Sequence, residues 1–341
     1  MSEIYSGKRI FYFDELRMVA ILAIILCHAA GCYGNFKYDS LRVAIPGLIN
    51  VIGLVGVPLF FMLSGALLLN RTYSLPEFFR KKFKRILYPA VFWIAVACFI
   101  YSFISTDAIL PVIFGDGRFT WFVWVMIGIY LIIPVVNSFI KEFGIKGAEY
   151  FLAVWFITII LETFGMYPFK RLELSYFAGY LGYVVLGYYL ANKEFKMNKL
   201  TLAILCLAVS VISLLIHMYL VYNGIKFKHQ YLVLTVMLAS MGIFILFKSI
   251  SEYCDENKTT RLGKFHEKMK SGNIAKLIFT ISICSYGMYF ANSVIKIFFD
   301  QMQIHSLKVF PALYLILVFG SLAVILIMDR IPILNKFSGV S

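Results

Sequence analysis

The chain has 341 residues, 61% of them hydrophobic and 15% charged, with a mean hydropathy of +0.83. A water-soluble domain cannot bury that much apolar surface, which excludes a soluble globular protein. The formal net charge of +14 would suit nucleic acid, but the basic residues fall where the cytoplasmic loops of a membrane protein carry them, so no nucleic-acid partner is expected.

Apolar runs recur from Phe11 to Met328 with no polar block large enough to fold separately, so residues 1–341 are read as one membrane domain without a separate soluble domain. A crossing of the roughly 30 Å bilayer core takes about 20 apolar residues. By that measure about ten transmembrane helices are predicted, at Ile10 to Gly31, Ile45 to Leu69, Leu87 to Ile104, Phe119 to Ile140, Gly147 to Phe164, Tyr176 to Ala191, Leu200 to Tyr222, Tyr231 to Phe247, Leu277 to Phe298 and Val309 to Met328. The sixth is short and rich in glycine and tyrosine, a composition that can be packed or broken inside a bundle; without it nine helices remain. The fold class is an all-α integral membrane protein. Lys8 and Arg9 precede a run longer than a signal-peptide core, so the first helix is expected to be retained.

Basic residues concentrate in Arg80-Lys81-Lys82-Phe83-Lys84-Arg85, read as a loop, and in the segment Lys248 to Lys276. Placing both on the inside makes the N- and C-termini cytoplasmic, in a multi-pass protein of the cell membrane, with a bacterial cytoplasmic membrane as the expected setting. Within the second segment Leu262, Phe265 and Met269 share one helical face beside Arg261, Lys264 and Lys268, the pattern of a short helix lying in the membrane plane, interrupted by Gly263. Five of the six cysteines lie in predicted helices or, for Cys32, one residue beyond, and Cys254 is cytoplasmic, so no disulfide framework is expected. There is no Gly-x-x-x-x-Gly-Lys-Ser/Thr loop, no His-Glu-x-x-His, no Cys-x-x-Cys and no Gly-x-Ser-x-Gly elbow, so neither nucleotide hydrolysis nor a metal is expected.

What remains is a few polar groups where lipid makes them costly. Arg17 and His28 are eleven residues apart on the first helix, which leaves them about 20° apart in azimuth and about 16 Å apart along the axis. One face thus presents a cation near the cytoplasmic surface and an imidazole near the outer one. The plainer alternative is an arginine that snorkels and a histidine bonded to a neighbouring helix.

Phe13-Asp14-Glu15-Leu16-Arg17, followed by ten residues and His28, resembles the opening motif of the membrane-bound acyltransferase family 3. The resemblance continues in order through Phe60-Phe61-Met62-Leu63-Ser64-Gly65, through Lys82-Phe83-Lys84-Arg85 with Tyr88-Pro89 and Trp93, and through Trp121-Phe122 with Gly128-Ile129-Tyr130-Leu131-Ile132-Ile133-Pro134. It extends to Ser285-Tyr286-Gly287-Met288-Tyr289-Phe290-Ala291-Asn292, where many relatives end on histidine; asparagine forms hydrogen bonds but does not titrate. The resemblance implies transfer of an acyl group, acetyl or another such as succinyl, to a surface glycan or lipid-linked glycan.

Acyl transfer from a thioester to a sugar hydroxyl needs a group that removes the hydroxyl proton, and neutral imidazole is the side chain best matched to pH 7. His28 is therefore the candidate base, with Arg17 as its catalytic companion; an acyl-histidine intermediate is the competing mechanism, and an acylated Cys32 one turn away is a further alternative. Acetyl-CoA, or another acyl-CoA, is the expected donor, and the motif positions imply that Arg17, Lys82, Arg85 and Ser64 bind it, with close helix packing beside Gly65 as the alternative for Ser64. Arg80, Lys81 and Lys84 are read as a topology signal only. Trp121, Asn292, Glu162 and Arg171 are the acceptor-side candidates, with an interfacial aromatic belt as the alternative for Trp121 and Trp124. His217, His229, Lys170 and Glu173 are weaker neighbours of that cleft, while His266 and His305 are read as loop residues without a signal. Two other classes stay open: a glycan or lipid transporter, which would show duplicated halves or paired broken helices, and a membrane scaffold.

Overall fold

The computed structural model describes residues 9–33, 41–115, 120–164, 179–227, 229–302 and 307–340. Among these residues the regular structure is entirely helical, and seven helical segments are long and apolar enough to cross a membrane. The helices are α1 (Phe11–Gly31), α2 (Leu41–Gly53), α3 (Gly56–Leu68), α4 (Leu75–Ile104), α5 (Ile109–Phe114), α6 (Trp121–Thr163), α7 (Leu181–Asn192), α8 (Lys199–Tyr222), α9 (Leu234–Glu256), α10 (Arg261–Met269), α11 (Gly272–Gln301) and α12 (Phe310–Arg330). α1 packs against α2, α3, α9, α11 and α12 and forms the hub of the bundle. It is not among the seven, because Asp14, Glu15 and Arg17 occupy its first two turns.

Hydrophobic length misjudged several boundaries. The basic run 80–85 is not a loop: α4 begins at Leu75, with Pro76 in its first turn, where a missing N–H costs nothing, and with Glu77 paired to Lys81 at 2.6 Å one turn later. Phe78 and Ile86 are buried on the same helix, so its polar extension is amphipathic and packed. The predicted second span is α2 and α3, joined at Leu54–Val55. The fourth and fifth lie on one 43-residue helix that breaks at Gly144, whose φ of 57° and ψ of −139° only glycine adopts without strain. The eighth runs on to Glu256, two turns into the polar segment.

The short helix expected in this segment is present as α10, and its interrupting glycine is required. Thr260 caps the helix by accepting from the Gly263 N–H at 3.1 Å, and a Cβ added at Gly263 would lie 2.2 Å from the Asn257 carbonyl oxygen. His266 is therefore helical and buried, not a loop residue; neither ring nitrogen has a partner, and the ring meets Phe11 of α1 edge-on at 5.8 Å.

The glycines of the sixth predicted span serve close packing. A Cβ at Gly65 of α3 would sit 1.7 Å from the Val184 carbonyl oxygen of α7, and one at Gly187 of α7 would sit 1.8 Å from that of Met62. Two backbones touch at this crossing, which fixes α3 and the Ser64 it carries. At the end of α7 the buried Lys248 ammonium donates to the carbonyls of Leu190 at 2.8 Å and Lys193 at 2.7 Å, satisfying acceptors that the helix leaves open.

Candidate functional site

The shared face of Arg17 and His28 looks onto α11. Arg17 Nη1 donates to Ser282 Oγ at 3.4 Å, and eleven residues on, His28 Nδ1 meets Asn292 Oδ1 at 2.5 Å. Both contacts advance along the two chains in the same sense, so α1 and α11 run parallel. Ser282 Oγ in turn donates to the buried Asp14 at 2.6 Å, and Asp14 also accepts from Arg9 Nε at 2.5 Å. Asp14 thus holds Arg17 through a serine rather than by direct pairing.

Asn292 is fully buried and its orientation is set by its own turn, since Nδ2 donates to the carbonyls of Met288 at 2.6 Å and Tyr289 at 2.8 Å. Its Oδ1 must therefore face the histidine, and an amide oxygen only accepts. The proton of the neutral ring is thereby assigned to Nδ1, leaving the Nε2 lone pair free.

Beside this pair lies a cavity of about 340 Å³. Arg17 of α1, Ser64 of α3, Lys82 and Arg85 of α4, Tyr130 of α6 and Ser285, Tyr286 and Tyr289 of α11 give its polar lining, with Phe60, Leu63, Phe122 and Met126 among its apolar walls. Three cations and no carboxylate line it, so it suits an anion with an apolar portion. Lys82 and Arg85 reach it together because three residues on a helix bring side chains to one face. Arg80, Lys81 and Lys84 are exposed and do not line it. The Ser64 hydroxyl donates to the Phe60 carbonyl at 2.9 Å, and Tyr286 donates to the Ile86 carbonyl at 3.1 Å, tying α11 to α4 beside the space.

His28 does not line the cavity; its ring lies 6.0 Å from that of Tyr289, the lining residue of α11 nearest Asn292. The structure thus brings Arg17, Ser64, Lys82 and Arg85 together, with His28 and Asn292 one ring beyond. It separates the other acceptor-side candidates. Trp121 stacks on Tyr231 with ring centres 5.3 Å apart and adjoins the lining only through Phe122, and Glu162 faces His229 at 4.0 Å, away from the lining. Arg171, Lys170, Glu173 and His305 lie outside the described residues. His217 is buried, bonded to Thr235 at 2.7 Å and stacked on Phe227. Sequence reasoning assigned no role to Asp14, Tyr130, Ser282, Ser285, Tyr286 or Tyr289. The available signal was the spacing of Ser285, Tyr289 and Asn292, four and three residues apart and so on one helical face.

No group of three or more metal-binding side chains occurs among the described residues. An all-helical membrane protein with an internal, anion-accepting cavity beside an oriented histidine is the class that this geometry defines. The chain belongs to acyltransferase family 3: the family model described as an acyltransferase domain matches residues 10–330. It is similar to the peptidoglycan O-acetyltransferase OatA of Listeria monocytogenes, with 31% identity over 127 residues, covering 35% of this chain and 18% of that protein. The chain thus matches less than a fifth of the length of that relative. No solved structure matches.

Proposed function

We propose that this acyltransferase moves an acyl group, acetyl in the first instance, from cytoplasmic acyl-CoA to a hydroxyl of a surface or lipid-linked glycan, with His28 as the general base. The observation that carries the reading is the convergence of Arg17, Lys82 and Arg85 on one cavity that ends beside the His28–Asn292 pair. The phosphates of coenzyme A lie far from its thioester, and the cations lie correspondingly far from the histidine: Arg17 is about 16 Å along α1 from His28. The guanidinium of Arg85 offers phosphate a planar pair of donors, and the Lys82 ammonium a point charge.

At the other end Nε2 of His28 takes the proton as the sugar oxygen attacks the thioester carbonyl. The carbon–sulfur bond then breaks, and the coenzyme leaves as a thiolate that recovers the proton from the ring. Asn292 keeps the reactive nitrogen unprotonated between turnovers. In the proposed membrane arrangement, α1, the paired α2 and α3, α4, the two arms of α6, and α7, α8, α9, α11 and α12 are taken as ten crossings, seven segments among the described residues being long and apolar enough by themselves. The basic face of α4 and the segment containing α10 then lie on the cytoplasmic side, with both termini.

The test pairs thiol release from acetyl-CoA by the purified protein in lipid nanodiscs with mass spectrometry of surface glycans from a deletion strain and its parent. Thiol release and loss of an O-acyl mass from the deletion strain are expected. An unchanged glycan acyl pattern overturns the acceptor assignment, and absence of thiol release overturns the donor.

A further inference from the structure

We propose that Lys296 and Asp300 form the acceptor subsite, a charge-neutral pair that binds a vicinal diol of an uncharged sugar ring next to His28; this rests on the acyl-transfer reading above. The polar stripe of α11 that begins at Ser285 and Tyr289 on the cavity wall and reaches Asn292 continues at Lys296 and Asp300, each one turn further. The pair therefore lies on the opposite side of His28 from the cavity, where a second substrate can meet the acyl group.

Lys296 crosses the seam between α1 and α11. A Cβ added at Gly31, three residues after His28, would lie 3.5 Å from Lys296 Cε, an ordinary contact distance that places the lysine stem against α1 next to the histidine's turn.

The ammonium donates to both carboxylate oxygens of Asp300, at 2.6 and 2.7 Å. Two of its three protons are used and one is free, and each carboxylate oxygen retains a lone pair. One donor beside two acceptors matches two adjacent hydroxyls, one accepting from Lys296 and one donating to Asp300. A glycan carboxylate fits poorly, because it would compete with Asp300 for the ammonium while facing a second negative charge. The side chains are 21% and 33% exposed, so the pair is accessible as well as seated.

The test gives [14C]acetyl-CoA to membranes that hold the protein and the cell's own glycans, and measures the fraction of consumed acetyl that reaches glycan rather than water. Lys296→Ala and Asp300→Ala are expected to lower that fraction about tenfold or more. Asp300→Asn, which keeps an acceptor oxygen, is expected to fall less, and the KM for acetyl-CoA to stay near the parent's. A parental fraction in the Ala variants overturns the subsite. Loss of consumption and delivery in step marks a structural role and overturns it too. Glycan isolated from the cells, its carboxyls capped with carbodiimide and methylamine before it is added to the untreated protein, is expected to accept acetyl as the uncapped glycan does; loss of transfer overturns the neutral-diol class. A parent protein that consumes no acetyl-CoA fails the underlying reading instead.

Discussion

The His28 ring is held by a hydrogen bond at Nδ1 and lies against the ring of Tyr289. Its Nδ1 has a buried amide oxygen that cannot rotate away without breaking two bonds to main-chain carbonyls. His28→Ala is therefore expected to cut turnover by about 100- to 10,000-fold, the usual worth of a general base, with expression and melting unchanged; near-parental turnover in purified protein would remove the assignment. Asn292→Ala leaves the ring but frees its tautomer, so kcat is expected to fall while the KM for acetyl-CoA holds, and a rise in that KM alone would place Asn292 in donor binding instead. Lys82→Ala and Arg85→Ala reverse the split, raising the acetyl-CoA KM with little change in turnover, because phosphate contacts bind ground state and transition state alike. Equal KM values in variants and parent would reduce the pair to a topology signal. Arg17, His28, Ser64, Lys82 and Arg85 were legible from motifs. Tyr130, Tyr286 and Tyr289 were not, because a tyrosine in an apolar helix carries no sign of which neighbour its hydroxyl meets until that neighbour is in place.

The elements show where hydrophobic length is a poor guide. It located the helices, but it stopped α4 at the membrane edge, since a charged helical extension reads as a loop until its buried Phe78 and Ile86 are seen. Composition left the glycines of α7 as either packed or broken, and the structure has them packed, where they permit contact between backbones. Gly65→Ala and Gly187→Ala are accordingly expected to lower melting in detergent markedly, overpacking costing about 1–3 kcal/mol or more, whereas Gly128→Ala, with nothing within 4 Å of the added carbon, stays near the parent. Equal melting in all three would disprove the close crossing. α10 adds a pH dependence. Burial, and then the charge of Lys270, push the His266 imidazole below its ordinary value of 6.5, against smaller opposing effects of Asp255 and Glu267. The seated helix thus binds fewer protons than the released one. Its docking on Phe11 is complete above about pH 6.5 and weakens as pH falls below it, since stability rises with pH where the released form holds more protons. The hydrogen-exchange protection of residues 261–269, corrected for the intrinsic pH dependence of amide exchange, is expected to fall between pH 7.5 and 5.5 in the parent and to lose that response in His266→Phe.

At the scale of the molecule, orientation rests on charge placement. Single cysteines at Lys37 and Asp116 are expected to react with an impermeant thiol reagent from outside, and one at Lys258 to stay unlabelled until the membrane is opened; the reverse pattern would place the proposed donor cavity on the outer face. The ordering of the spans was legible because each crossing leaves its own apolar run. Their grouping was not, because the Gly144 break and the Leu54–Val55 joint leave almost no mark on hydropathy. The ring of Tyr289 meets Phe122 at 5.0 Å, and Phe122 meets Phe61 at 5.3 Å, where the cavity approaches His28. Packed aromatic faces at that point are a costly passage for hydrated ions. In the proposed transfer of acetyl between two compartments, the path through the bilayer would be electrically insulated, so the membrane would keep its voltage and proton gradient while the chemistry crosses it.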